Sequence, residues 1–146
     1  PVTQALKSWR YDIANRGYVR TRPPAGDTAA VAGALAGRNV LVTIAFADVQ
    51  AVDWQIRLIR KYVHHDAHLI ADNSPDDGTA DAIRATAARH GVPYLRLPPS
   101  ELHAAIMGGH HPSRSHGLAL NWVWHNVIGT RAWPGRARHP SASRRM

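Results

Sequence analysis

The sequence predicts an α/β domain, half of a doubly wound parallel sheet with flanking helices in the order β-α-β-α-β-loop-α. Three observations carry that prediction. Residues 39–47 form an uncharged, β-branched apolar run, the pattern of a strand covered on both faces. From Trp54 the apolar residues change to helical spacing. The alternation of strand and helix then continues to residue 97, with connections short enough to demand right-handed crossovers.

The first strand, Asn39-Val-Leu-Val-Thr-Ile-Ala-Phe-Ala47, is read as fully buried. Asp48 to Asp53 is a polar stretch suited to capping the following helix. Trp54 to Val63 places Trp54, Leu58 and Tyr62 on one stripe and Ile56, Ile59 and Val63 on the next, a wide apolar face for packing on a sheet. Ala67-His-Leu-Ile-Ala71 is a second buried strand. Asp76-Asp-Gly-Thr79 is a turn whose acids favour the positive end of the next helix. That helix runs from about Thr79 to His90 with Ala80, Ile83 and Ala87 inward, and Gly91 stops it. Val92-Pro-Tyr-Leu-Arg-Leu97 is the third strand, and Pro93 restricts it to an edge or makes Pro93 one of its first residues. A loop rich in glycine and histidine follows, then a helix over 115–128 that is apolar nearly all round. Asn121 inside that helix must find a partner.

Length and composition bound the rest. The chain has 146 residues, 45% of them hydrophobic, and no cysteine. One globular domain fits those figures, and a disulfide framework, a zinc ribbon and a thiol nucleophile are excluded. No apolar run approaches the ~20 residues of a membrane span, and Pro1 to Arg10 lacks the apolar stretch of a signal peptide. The expectation is a cytoplasmic protein without a membrane span.

The net charge of +8 lies at the ends. Residues 1–38 hold six basic and two acidic side chains, 39–128 hold seven and eight, and 129–146 hold five arginines and no acid. Three segments follow: a basic N-terminal extension at 1–38, the α/β unit at 39–128, and a basic tail at 129–146 without periodicity, in which Trp133 is the main large apolar group. Such a tail is expected to remain unstructured. It lacks the interleaved aromatics that stack on bases, which argues against a nucleic-acid arm.

In open parallel sheets, ligands bind at the carboxyl ends of the strands. Here those ends are Phe46-Ala-Asp48 and Asp72-Asn-Ser-Pro-Asp76. An acid ending the second strand can accept hydrogen bonds from a base or ribose; an Asx turn leading to a helix cap accounts for the same residues. Neither GxGxxG nor GxxxxGK[ST] is present, which counts against a dinucleotide fold and a P-loop. No GxSxG elbow supports a hydrolase. The histidine clusters, 64, 65 and 68 and then 110, 111 and 116, fall largely in predicted loops, so no metal site is assigned to them.

Five strings in order, Thr43-Ile-Ala-Phe46, Gln55-Ile-Arg-Leu-Ile-Arg-Lys-Tyr62, Ala71-Asp-Asn-Ser-Pro75, Pro93-Tyr-Leu-Arg-Leu-Pro98 and Ser115-His-Gly-Leu-Ala-Leu-Asn-Trp122, resemble the nucleotide-sugar domain of inverting family 2-type glycosyltransferases, which have the GT-A fold, a Rossmann-like parallel sheet. The resemblance covers residues 39–128. It implies a nucleotide-sugar donor as ligand and transfer of the sugar to an acceptor hydroxyl. It also implies a pocket lined by Ala45, Phe46 and Asp48, with Asp72 at the nucleobase and Asn73 and Ser74 beside it. Ser115, His116 and Gly117 would approach the ribose or diphosphate, Asn121 would hold that end of the site, and Arg114 would face the diphosphate.

The pattern then breaks off. Complete members of such a family continue to a fourth strand and a DxD-type motif that holds Mg²⁺ or Mn²⁺, and to a carboxylate base. This sequence has no acidic residue after Glu101, so no catalytic residue and no cofactor are assigned within it. A truncated or frame-shifted chain, native to about Ile128, is the expectation; the ratio of 16 Arg to 2 Lys fits a GC-rich coding sequence whose shifted frame yields such a tail. By itself the chain is expected to bind nucleotide without turnover. The alternatives are a basic nucleic-acid-binding module and a non-catalytic α/β interaction domain. The unpaired edge of a half sheet is expected to favour self-association.

Overall fold

The computed structural model describes residues 2–24, 28–109 and 111–129. Its centre is a three-stranded parallel sheet of β1 (Val40–Ala45), β2 (Ala67–Asp72) and β3 (Tyr94–Arg96) in the order β1-β2-β3. Val40 pairs with Ala67 and Ala45 with Asp72, while Ile70 pairs with Tyr94 and Asp72 with Arg96. The α/β class and the β-α-β-α-β order are those read from the sequence.

Helices α3 (Val49–Tyr62) and α4 (Asp77–Arg89) cover one face of the sheet. Val52 and Ile56 of α3 and Ile83 and Ala87 of α4 pack there with Ala45, Ile70 and Val92. Both helices begin at an aspartate cap. Asp48 Oδ1 accepts the Ala51 amide at 2.9 Å, and Asp76 Oδ1 accepts the Thr79 amide at 2.8 Å. Asp48 thus caps its helix as expected, but the helix begins at Val49, five residues before Trp54, because Val52 adds an apolar contact in its first turns. Gly91, at φ +64°, ends the α4 segment in the left-handed conformation that glycine adopts without strain. The two helices are tied at Asp53, which meets His90 at the end of α4 at 2.7 Å and also pairs with Arg57 of its own helix at 2.9 Å.

The other face carries α1 (Val2–Val19), α2 (Thr28–Leu35), α5 (Glu101–Ile106) and α6 (Pro112–Val123), with a π-helical turn over Trp124–Ile128. Ala14, Tyr18 and Leu35 are fully buried there with Leu69, Leu95, Leu118 and Trp122. Helices α1 and α2 therefore pack into the same core as the α/β unit. The Tyr18 hydroxyl donates to Pro98 O at 2.6 Å, the Trp122 indole to Thr21 O at 3.0 Å, and the Asn126 amide to Val19 O at 3.0 Å. Gly17 lets α1 approach α5 closely, since a Cβ there would lie 3.2 Å from the His103 ring.

Three expectations are corrected. The first strand is only half-buried at Val40, Leu41, Val42 and Ile44, since β1 is an outer strand; β2, the central one, is buried throughout. On α3, Val52, Ile56 and Ile59 face the core, whereas Trp54, Leu58 and Tyr62 are exposed, because one sheet can cover only one side of a helix. The last helix starts at Pro112, and Leu120 and Trp124 are exposed, so its apolar girth is not fully covered. β3 is an edge strand directly preceded by Pro93, whose carbonyl accepts the Ile70 amide at 2.9 Å, as its proline requires. The expectations about the tail after 129 concern residues outside those described. No described helix is long and apolar enough to cross a membrane.

Candidate functional site

The carboxyl ends of β1 and β2 converge on the amino end of α6. Ala45 O accepts the Asn73 amide at 2.9 Å, which continues the ladder one residue past β2. Ala47 then takes a positive φ of 54° and donates its amide to Ser74 Oγ at 2.9 Å. This strained turn sends the chain into α3 and leaves Phe46 half-exposed at the rim.

Asp72 lies behind that rim. It is 0% exposed, and its carboxylate is fully engaged. Oδ1 accepts the Ser74 amide at 2.9 Å and the Ser74 hydroxyl at 2.5 Å, and Oδ2 accepts the Tyr94 hydroxyl at 2.7 Å. The Ser74 bond to the residue two places back is the Asx-type turn, and Asp76 is the helix cap, so the conformational reading of Asp72-Asn-Ser-Pro-Asp76 describes this segment. Asp72 acts as an internal brace, and the group β2 presents to the rim is Asn73.

Two residues that the sequence reading did not single out complete the brace. Arg96, 8% exposed, donates to Ser74 O at 3.0 Å and to Asp76 O at 3.2 Å. Tyr94 donates to Asp72, and burial followed by that hydrogen bond raises the phenol well above its ordinary pKa. The signal was available in parity: Tyr94 and Arg96 alternate on one side of β3, and parallel register sets Arg96 beside Asp72.

The amino end of α6 is closed by its own cap. His111 accepts the Ser113 amide at 3.3 Å on its ring, and its carbonyl accepts the amides of Arg114 and Ser115 at 2.9 and 3.3 Å. Those N–H groups are therefore occupied, and what α6 offers a ligand is its dipole and its side chains. Asn73 Nδ2 donates to Ser115 O at 3.4 Å and joins α6 to β2. Ser115 Oγ is buried and has no hydrogen-bond partner among the described residues.

A cavity of about 420 Å³ lies at this junction, lined by Ile44, Phe46, Asn73, Pro112, Ser113, Ser115 and His116. A second, open cleft of about 990 Å³ runs between α1 and α6; Arg16, Arg20 and Arg114 make it basic, His111 and His125 also line it, and Asp12 is the one acid among the described residues of its wall. Ser113 lines both. The residues named from the sequence thus divide. Phe46, Asn73, Ser115 and His116 meet in the smaller cavity, whereas Arg114, Gly117 and Asn121 line the larger cleft. Ala45, Asp72 and Ser74 are buried behind the rim, and Asp48 is at the cap of α3. Asn121 finds its partner in Asn15 of α1, to which it donates at 3.2 Å. The histidines at 65 and 68 lie elsewhere: His68 is on β2, its Nε2 2.9 Å from Thr43 Oγ1, and burial lowers its pKa to about 4.

Neither the protein-family models, nor the curated proteins, nor the solved structures contain a match to this chain. The functional reading rests on the geometry and on the resemblance described above.

Proposed function

We propose that the chain is the donor-binding part of a glycosyltransferase-like protein and holds a nucleotide sugar at the junction of β1, β2 and α6. One observation carries this reading. A cavity of nucleoside size and a basic cleft adjoin at Ser113 on the first turn of α6, at the carboxyl ends of the strands. Cavities of roughly 300–1,000 Å³ that combine apolar walls with a few polar groups are the usual form of small-molecule sites.

The chemistry of each part suits its share of the ligand. In the smaller cavity, Phe46 offers a ring face to a base, and Asn73, Ser115 and His116 offer hydrogen bonds to base or ribose. Ser115 Oγ, unpartnered among the described residues, gains a partner when a polar ligand binds. A diphosphate passing Ser113 enters the cleft, where Arg114, Arg16 and Arg20 offset its charge and the positive end of the α6 dipole adds to that.

Transfer itself is not assigned to these residues. The nearby carboxylates do not fit a divalent cation, since Asp72 is enclosed by Ser74 and Tyr94 and Asp48 holds the Ala51 amide. The expected activity is donor binding without turnover. An NMR titration with UDP-glucose and GDP-mannose tests it: amide shifts clustered at 44–46, 73–74 and 113–117 support the reading, and shifts absent from those positions oppose it.

A further inference from the structure

Among the described residues, one apolar face of α3 is uncovered. Trp54, Leu58 and Tyr62 recur every fourth residue along α3 and are 62, 55 and 69% exposed. They lie on the flank remote from α4, toward which Asp53 and Arg60 reach through His90. Since α4 packs toward β3 and β1 is the outermost strand on the other side, the stripe borders the free edge of β1. Scattered exposed apolar residues are ordinary, but a row of three beside an open strand edge marks an interaction surface.

Among the described residues no strand pairs with that edge. Asn39 and Ala45 direct their carbonyls to the β2 side, where they accept the amides of Ala67 and Asn73. By the alternation of a strand, Val40, Val42 and Ile44 direct their N–H and C=O groups away from β2. Protein edges are normally blunted by charge, proline or a bulge. The strand Val40–Ala45, VLVTIA, has no charge and no proline.

We infer that this face is a dimer interface, on which a second copy of the chain docks with its own β1 antiparallel to the first and its own α3 alongside. A two-fold axis requires that antiparallel approach. It sets Leu58 against Leu58 of the second copy at the centre, with Trp54 of each copy against Tyr62 of the other. Charge favours this face over the rest of the surface. The chain carries +8, so two copies repel one another wherever cations meet; here the Lys61 ammonium, 4.9 Å from the centre of the Tyr62 ring, comes beside Gln55 of the second copy when Leu58 lies on the axis, not beside a second cation. The two α3 dipoles run in opposite directions in this pair, which favours it. Four aromatic side chains at about 150 Å² each supply roughly half of the ~1,200 Å² that a stable interface needs, and the two leucines and the two strand edges add the rest. The inference is independent of donor binding, which uses the opposite face of the sheet.

Light scattering on the full chain tests it. The wild type is expected at twice the 16.0 kDa of one chain, and Leu58→Asp, an exposed helix substitution whose fold is checked by circular dichroism, at one chain. Because the protein has no cysteine, Leu58→Cys provides a second readout that needs no change of fold: oxidation is expected to join two copies across the axis, while Leu6→Cys on α1, 50% exposed, does not. A wild type that is monomeric at every concentration overturns the inference and leaves the face to a different chain. A dimer that survives Leu58→Asp, or equal cross-linking at both cysteine positions, also overturns it.

Discussion

The hydroxyl of Tyr94 donates a 2.7 Å hydrogen bond to the carboxylate of Asp72, and so fastens the edge strand β3 to the carboxyl end of the central strand. Ser74 holds the other oxygen of the same carboxylate. A buried carboxylate that loses a donor retains its desolvation cost without the compensating bond. Tyr94→Phe is expected to lower stability by about 1.5–3 kcal/mol, read as a lower urea midpoint with an unchanged slope.

Arg96 holds the same segment from below through the carbonyls of Ser74 and Asp76. A planar guanidinium spans two acceptors, and an ammonium on a flexible stem does not. Arg96→Lys should therefore weaken nucleotide binding by loosening residues 73–77, although Arg96 does not line the cavity. Calorimetry and amide exchange on the variant check both effects: exchange at 73–77 is expected to rise together with the Kd.

The strands, the crossover helices and their caps were legible in the sequence because each is a local pattern. Asp48 and Asp76 sit immediately before helical periodicity begins, and Gly91 sits where it ends. What was not legible depended on neighbours. Trp54 and Leu58 have the spacing of core residues, and only the number of strands beneath α3 decides that they face outward. Asp72 has the position of a ligand group, but Tyr94 and Ser74 enclose it, through a register the sequence states only once β2 and β3 are paired. The first 24 residues show no local sign of Tyr18 reaching Pro98 across 80 positions.

The attachment of α1 gives a third prediction. Tyr18 is fully buried and its hydroxyl is bonded to Pro98 O. Tyr18→Ala removes a large core side chain and is expected to cost about 3–5 kcal/mol. Residues 39–129 expressed without the first 38 would expose Leu118, Trp122 and Val127, and should lack the cooperative thermal transition expected for the whole chain. Differential scanning calorimetry on both proteins decides this.

Acid sensitivity follows from His68. Its pKa falls to about 4 in the fold because burial disfavours the imidazolium, whereas the unfolded chain titrates near about 6.5. The unfolded state then binds a proton that the native state does not, so stability declines as pH falls from about 6.5 to about 4 and levels off below. Burial lowers the His103 pKa in the same direction and steepens the decline. Asp53 and Asp76, whose pKa values are lowered chiefly by the His90 and Thr79 hydrogen bonds, add a loss only at lower pH, as their native carboxylates protonate. His68→Gln should flatten the profile between about pH 4 and 6.5, measured as urea midpoints across that range.

Donor binding at the β1–β2–α6 junction is the claim on which the functional account depends. Isothermal titration of the full chain with UDP-glucose and with GDP-mannose tests it most directly, run beside Ser115→Ala and Arg114→Ala. The account predicts saturable binding of at least one donor, weakened about fivefold by loss of one neutral hydrogen bond in Ser115→Ala, and a loss in Arg114→Ala that is larger for the diphosphate donor than for the free nucleoside. No heat at millimolar nucleotide, or equal affinity in all three proteins, would contradict it.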